Sequence, residues 1–116
     1  MKLMIVDDNP DIRKILKSIC FNLFDEIIEC SDGDEAIESY LTNNPEWTLM
    51  DIKMKRIDGL TAASEITSRN PLAKIIMISQ YSDELIVEAS RSSGAIEFVN
   101  KENLLKIKEI ITSNEY

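Results

Sequence analysis

Asp7 and Asp8 follow directly on the apolar run Leu3-Met4-Ile5-Val6, and Asp51 ends a second such run, Trp47-Thr48-Leu49-Met50. If the two runs are adjacent parallel strands, three carboxylates share one sheet edge, and their repulsion calls for a cation between them. Carboxylates with no histidine or thiolate beside them are hard oxygen ligands. An open site with few protein ligands and several waters suits Mg²⁺ better than a dedicated Ca²⁺ cage. A divalent cation beside Asp51 would also let an anionic phosphoryl group approach a carboxylate, which could then act as nucleophile. Ser79, after the run Lys74 to Ile78, and Lys101, after Ile96 to Val99, complete that chemistry. The hydroxyl could hydrogen-bond one phosphoryl oxygen and the ammonium could neutralise another.

Composition narrows the field in the same direction. Histidine is absent, which removes Ser-His and Cys-His nucleophilic sites and most catalytic zinc sites. A formal net charge of −8 opposes direct nucleic-acid binding by this chain, because phosphate backbones select clustered Lys and Arg. Cys20 and Cys30 are too few and too isolated for a disulfide framework or a zinc cluster, and they read as buried free thiols. With only three glycines the chain carries neither G-x-G-x-x-G nor a Walker A sequence. It has no apolar stretch long enough for a bilayer and no secretory signal, so a cytoplasmic protein without membrane contact is expected. Its 116 residues, 44% of them hydrophobic, suit one domain that buries a core without disulfides or metals.

The elements that must position these residues alternate regularly. Strand-like runs at Leu3 to Val6, Glu26 to Cys30, Trp47 to Met50, Lys74 to Ile78 and Ile96 to Val99 are each followed by a longer amphipathic stretch. The first, third and fourth are nearly continuous in apolar residues, as parallel strands covered on both faces are. Right-handed crossovers then put helices on both sides, giving an α/β, doubly wound, five-stranded parallel sheet. In such a sheet the functional crevice lies at the carboxyl ends of the strands, where Asp7, Asp8, Asp51, Ser79 and Lys101 stand.

The helices are marked by their ends. Asn9 can cap the first and Pro10 fits its first turn, with Ile12, Ile15, Leu16, Ile19, Cys20 and Leu23 forming its apolar stripe. Ser31 or Asp32 can cap a second through Ala36, Ile37, Tyr40 and Leu41, ended by Asn43-Asn44-Pro45. Asp58-Gly59 opens a third that stops before Pro71, and Ser82-Asp83-Glu84 opens a fourth that Ser92-Ser93-Gly94 closes. The last holds Leu104, Leu105, Ile107, Ile110 and Ile111. That set fits either a wide core-facing stripe or a partly exposed docking surface.

Five segments occur in order: Ile5-Val6-Asp7-Asp8-Asn9-Pro10, Leu49-Met50-Asp51-Ile52-Lys53-Met54, Asp58-Gly59, Ile78-Ser79, and Gly94-Ala95-Ile96-Glu97-Phe98-Val99-Asn100-Lys101. In these segments the chain resembles the response-regulator receiver domains of two-component signalling. The resemblance spans residues 1–116 and implies one receiver domain with the flavodoxin-like strand order 2-1-3-4-5. It implies that Asp51 accepts a phosphoryl group from the phosphohistidine of a sensor histidine kinase or histidine phosphotransfer protein. Asp8, Asp51 and the backbone carbonyl of Lys53 would hold Mg²⁺ directly, with Asp7 assisting through water.

By the same resemblance Phe98 matches the aromatic whose rotamer reports the active state. Ser79 would move toward the phosphate, Phe98 would fill the space it leaves, and the face of the fourth helix, fifth strand and fifth helix would change. An output partner or a separate effector domain would read that face, and phosphorylation could pair two copies of the chain. Such a protein is a signalling phosphoacceptor that assists its own phosphorylation and dephosphorylation rather than an enzyme. Lys55 and Glu102 stand where the family often has proline, and Lys53 and Tyr81 flank the site at positions that tune phosphoryl lifetime in the family.

Two other functions compete. An aspartate-nucleophile phosphatase of the haloacid-dehalogenase type needs a second Asp two residues after Asp51, where Lys53 stands. A degenerate receiver acting as a phosphorylation-independent binding module is opposed by the complete acid set.

Overall fold

Strands without a polar face must be covered twice, and in the computed structural model, which describes residues 1–113, the three central strands are buried almost throughout. The elements run β1 (Lys2–Val6), α1 (Pro10–Cys20), β2 (Glu26–Cys30), α2 (Gly33–Asn43), β3 (Trp47–Asp51) and α3 (Gly59–Arg69). They continue through β4 (Ile75–Ser79), α4 (Glu84–Ser92), β5 (Glu97–Asn100), a 3-10 turn at Lys101–Asn103 and α5 (Lys106–Thr112). All strand pairs are parallel and their order is β2-β1-β3-β4-β5. The expected α/β, doubly wound architecture is therefore present, with each strand within a residue or two of its apolar run.

The alternation of side chains splits the core into two layers. Met4, Val6, Met50, Ile75 and Met77 point to the layer closed by Ala36 and Tyr40 of α2 and Ala62, Ala63 and Ile66 of α3. Leu3, Ile5, Leu49, Ile76 and Ile78 point to the other, closed by Leu16 and Cys20 of α1 and Ile107 and Ile111 of α5. Small residues on α3 let that helix lie close to the sheet. Both thiols are free and buried, and burial pushes each up to about 11, so they behave as core apolar groups.

Helix ends follow local chemistry, with instructive departures. Asn9, Asp58 and Asp83 each accept a hydrogen bond from an amide in the first turn of the helix they precede. Asn44 closes α2 in the left-handed region, at φ 46, which asparagine tolerates better than other side chains that carry a Cβ. Helix α1 stops at Cys20, where Leu23 N–H turns back to the Cys20 carbonyl, so Leu23 packs from a turn and the expected stripe is shorter. Ile15 and Leu41 were expected in apolar stripes and are exposed. The last apolar set divides: Ile107 and Ile111 on α5 are buried, whereas Leu104 and Leu105 precede that helix rather than belonging to it, and Leu105 faces out.

Trp47 begins β3 in the interior, and the Lys74 ammonium lies 5.3 Å from its ring centroid. Asp51 ends the same strand, at the opposite edge of the sheet.

Candidate functional site

The register of β1 and β3, with Val6 beside Met50, brings Asp51 next to the residues that follow Val6. Asp7 and Asp51 are almost wholly buried and Asp8 is half-buried. One carboxylate oxygen from each of these three residues lies within 4.8 Å of the others.

Backbone contacts hold Asp7 in place. Its N–H donates to the Cys30 carbonyl at 3.1 Å, its Oδ1 accepts from Asn9 N–H at 2.9 Å, and its carbonyl accepts from the Arg13 guanidinium at 2.6 Å. Its other oxygen, Oδ2, accepts no hydrogen bond among the described residues and faces Lys101 Nζ at 3.4 Å.

Lys101 also lies 3.2 Å from Asp51 Oδ1. From the end of β5 its side chain spans the end of β4 to reach carboxylates on the two strands beyond. It does so with Glu102 as the next residue, and no peptide bond among the described residues is cis.

One ammonium does not balance three carboxylates in a partly dehydrated site. Burial raises the Asp7 carboxyl above its usual range, against the pull of the Asn9 N–H and Lys101. Burial, and then the charge of Asp7, pushes Asp51 up to about 6 despite Lys101. For Lys101 itself burial acts downward, and the charges of Asp51 and Asp7 outweigh it to leave the ammonium above its usual range. Lys101→Ala deletes the attractive partner, so the Asp51 carboxyl is expected to titrate above 6. Carboxyl-carbon NMR of the cation-free protein reads this directly, and an unchanged or lower midpoint would contradict the pairing.

Ser79 ends β4 beside this cluster, and its hydroxyl accepts from Tyr81 N–H at 3.0 Å. Asp8, Asp51, Lys53, Ser79, Tyr81 and Lys101 line a common cleft of about 160 Å³. Lys53 lies in the β3–α3 loop, with Nζ 5.0 Å from the Tyr81 ring centroid, so the pair flanks the cleft.

Phe98 is not in the cleft. It is half-buried on β5 opposite Met77 and lines a separate groove with Val87, Ser90 and Arg91.

Two contacts near the site had no signal in the sequence. Arg13 reads as one more charge on α1, and its bond to the Asp7 carbonyl exists only because the β1–α1 turn folds back over it. Asp32 reads as a helix cap, yet α2 has no side-chain cap bond; its carboxylate instead accepts from Arg56 and Ile57 N–H, in the β3–α3 loop.

The donor set fits the magnesium ion that the sequence resemblance implies. It offers carboxylate oxygens, no nitrogen or sulfur ligand, and a buried acceptor at Asp7 that lacks a hydrogen bond.

Comparison with known proteins points the same way. The family model for the response regulator receiver domain matches residues 3–112. Chemotaxis protein CheY of Bacillus subtilis is 35% identical over 101 residues, covering 86% of this chain and 84% of that protein. Transcriptional regulatory protein PdtaR of Mycobacterium tuberculosis is 36% identical over 101 residues, 86% of this chain but 49% of that protein. Among solved structures, CheY in the CheX-CheY-BeF3-Mg+2 complex from Borrelia burgdorferi superposes with a TM-score of 0.90 and 31% identity, over 97% of this chain and 87% of that one.

Proposed function

The chain belongs to the response regulator receiver domains of two-component systems, and from that premise we propose that it accepts a phosphoryl group from a phosphohistidine donor onto Asp51. One observation carries the reading: a buried strand-end carboxylate lies within 4.8 Å of two further carboxylates and 3.2 Å from an ammonium, and it shares a small cleft with one of those carboxylates, that ammonium and a hydroxyl. Asp8, Asp51 and the Lys53 carbonyl would hold Mg²⁺, with Asp7 assisting through water. Bound there, the cation offsets the surplus carboxylate charge and that of the incoming phosphoryl oxygens.

Asp51 acts as the nucleophile. One carboxylate oxygen forms a bond to phosphorus as the donor's N–P bond breaks, and the leaving imidazole nitrogen takes a proton from solvent. Lys101, already 3.2 Å from Asp51 Oδ1, neutralises one phosphoryl oxygen, and the Ser79 hydroxyl donates to another. Hydrolysis reverses the modification: water attacks phosphorus, the acyl oxygen leaves as the Asp51 carboxylate, and inorganic phosphate departs. Lys53 and Tyr81 line the cleft, where they would flank that water.

The output follows from Ser79. When its hydroxyl turns to the phosphoryl group, Phe98 fills the space it leaves, and the face formed by α4, β5 and α5 changes for an output partner or an effector domain. Phosphorylation-dependent pairing of two copies is a further consequence. Residues 1–116 form one receiver domain in this reading, of which 114–116 lie outside the described residues. No helix among the described residues is long and apolar enough to cross a membrane, and the proposed site of action is the cytoplasm, with the kinase.

Incubation with Mg²⁺ and acetyl phosphate, followed by intact mass, tests the acceptor. The wild type is expected to gain one phosphoryl group and Asp51→Ala none. A wild type that gains no mass, and shows no Mg²⁺-dependent spectral change with beryllofluoride, would overturn the proposal in favour of a phosphorylation-independent binding module.

A further inference from the structure

A helix-capping aspartate ordinarily turns its carboxylate onto the first free amides of its own helix. Asp32 has the extended backbone of a cap, at φ −154 and ψ 161, but makes no such bond. Both of its oxygens serve another segment: Oδ1 accepts from Ile57 N–H at 2.9 Å and Oδ2 from Arg56 N–H at 3.0 Å. The next residue makes the reciprocal contact, Gly33 N–H donating to the Ile57 carbonyl at 3.1 Å. The approach is so close that a Cβ on Gly33 would fall inside contact of that carbonyl and 2.9 Å from Ile57 Cγ2. The Arg56 guanidinium lies 3.8 Å from Asp32 and also pairs with Asp34. The Ile57 N–H, above all, holds the Asp32 carboxyl below its usual range.

The segment so held is the β3–α3 loop, between Asp51 and Gly59. Ile52, at its start, is buried in the core, its N–H donating to the Ile78 carbonyl at 3.2 Å and its carbonyl accepting from Gly59 N–H at 2.7 Å; beyond it Lys53, Lys55 and Arg56 are exposed, and Met54 and Ile57 pack only partly against the core. From residue 53 to residue 58 the loop therefore has little burial of its own to order it, and this stretch carries the Lys53 carbonyl. An ion that takes a flexible backbone oxygen must order the segment that bears it, whereas a loop already fixed binds without that penalty.

We propose that Asp32 is a positioning residue for the metal site, its carboxylate fixing the β3–α3 loop so that the Lys53 carbonyl is presented before a cation arrives. The inference rests on the proposed Mg²⁺ site and adds to it a residue from the turn that precedes α2. It makes the Asp32 carboxylate an outer-shell partner of a main-chain ligand, acting through Arg56 and Ile57 N–H.

Amide NMR of the full chain tests it with two readouts. The first is hydrogen exchange of the Arg56 and Ile57 amides without metal, and the second is the Mg²⁺ concentration at which the Lys53 and Gly59 amide signals shift halfway. Asp32→Ala is expected to speed exchange at both amides and to raise the Mg²⁺ midpoint about tenfold or more. Asp32→Asn keeps one carbonyl acceptor and is expected to fall between, and it carries the test if the alanine variant does not fold. Asp34→Ala, which removes an Arg56 partner but leaves the two backbone bonds, is expected to match the wild type. Protection of the Leu49 and Ile76 amides in the central strands reports that each variant is folded. A folded Asp32 variant with wild-type exchange, or with faster exchange and an unmoved Mg²⁺ midpoint, overturns the positioning role while leaving the metal site standing. A wild type whose Lys53 and Gly59 signals ignore Mg²⁺ overturns the metal site and this inference together.

Discussion

Asp51→Asn is expected to raise the thermal stability of the cation-free protein at neutral pH while it removes the phosphoryl acceptor. Burial and the neighbouring charge of Asp7 move the Asp51 carboxyl from 3.8 to about 6 in the folded state. Between those values the folded chain binds more protons than the unfolded one, so stability falls as pH rises through that window and stays low above it. Two units correspond to about 3 kcal/mol against the native state, before the part that relaxation of Lys101 returns. An amide of the same shape carries no charge to desolvate, and Lys101 keeps Asp7 as its partner at 3.4 Å. A gain of about 1–2 kcal/mol, or roughly 5–10 °C in Tm, is expected in EDTA. Below pH 3.8 the carboxyl is protonated in both states and the two proteins should melt together. Added Mg²⁺ should stabilise the wild type more than the variant and narrow the gap, because a ligand that binds only the native state adds to its stability. A variant that melts at or below the wild type in EDTA at neutral pH would show that the acidic cluster is not strained.

Gly59→Ala is expected to have the opposite sign and a larger size. Gly59 is the first residue of α3, and its N–H donates to the Ile52 carbonyl at 2.7 Å. A Cβ there would press into the carbonyl oxygen of Asp51 and come within 2.9 Å of Met50 Cγ. Helix propensity favours alanine by about 1 kcal/mol. Its backbone φ is not positive, so conformational freedom does not require glycine and sterics alone decide. The obstructing atom belongs to a buried strand, which cannot move without disturbing β1 and β4 on either side. Overpacking costs about 1–3 kcal/mol, and an obstacle of buried backbone puts this site at the upper end of that range. Urea unfolding reads the loss as a lower midpoint, and the folded fraction should bind Mg²⁺ less well because the end of β3 has moved. A midpoint equal to or above the wild type would mean that α3 does not dock on β3 as described.

Much of this was legible in the sequence, for reasons tied to particular residues. The runs around Leu3, Leu49 and Ile76 are nearly continuous in apolar residues, as strands covered on both faces are, so the sheet and its helices followed. Asn9, Asp58 and Asp83 cap through neighbours in the chain, and local chemistry is readable locally. Ile15 and Leu41 lie in apolar stripes yet are exposed, because helical spacing fixes the side on which a residue lies, not how far the opposing layer extends over it. Asp32 was recognised as a helix start, but its hydrogen bonds go to residues 24 and 25 positions away, and spacing in the sequence carries no trace of them. The convergence of Asp7, Asp51 and Lys101 depended on strand order, which periodicity does not set and the family resemblance supplied.

The two ends of β3 have different optical uses. Trp47, the single tryptophan, begins the strand that Asp51 ends, about 13 Å away along an extended backbone. Its emission follows loss of the buried core and is insulated from chemistry at the other edge, whereas Tyr81 lies against the cleft. Excitation selective for the indole therefore follows unfolding in the presence of Mg²⁺ or a phosphodonor without the signal of binding superimposed, and excitation that includes the phenols adds the site. One chain thus carries a stability probe and a ligand probe that can be read separately, with no label introduced.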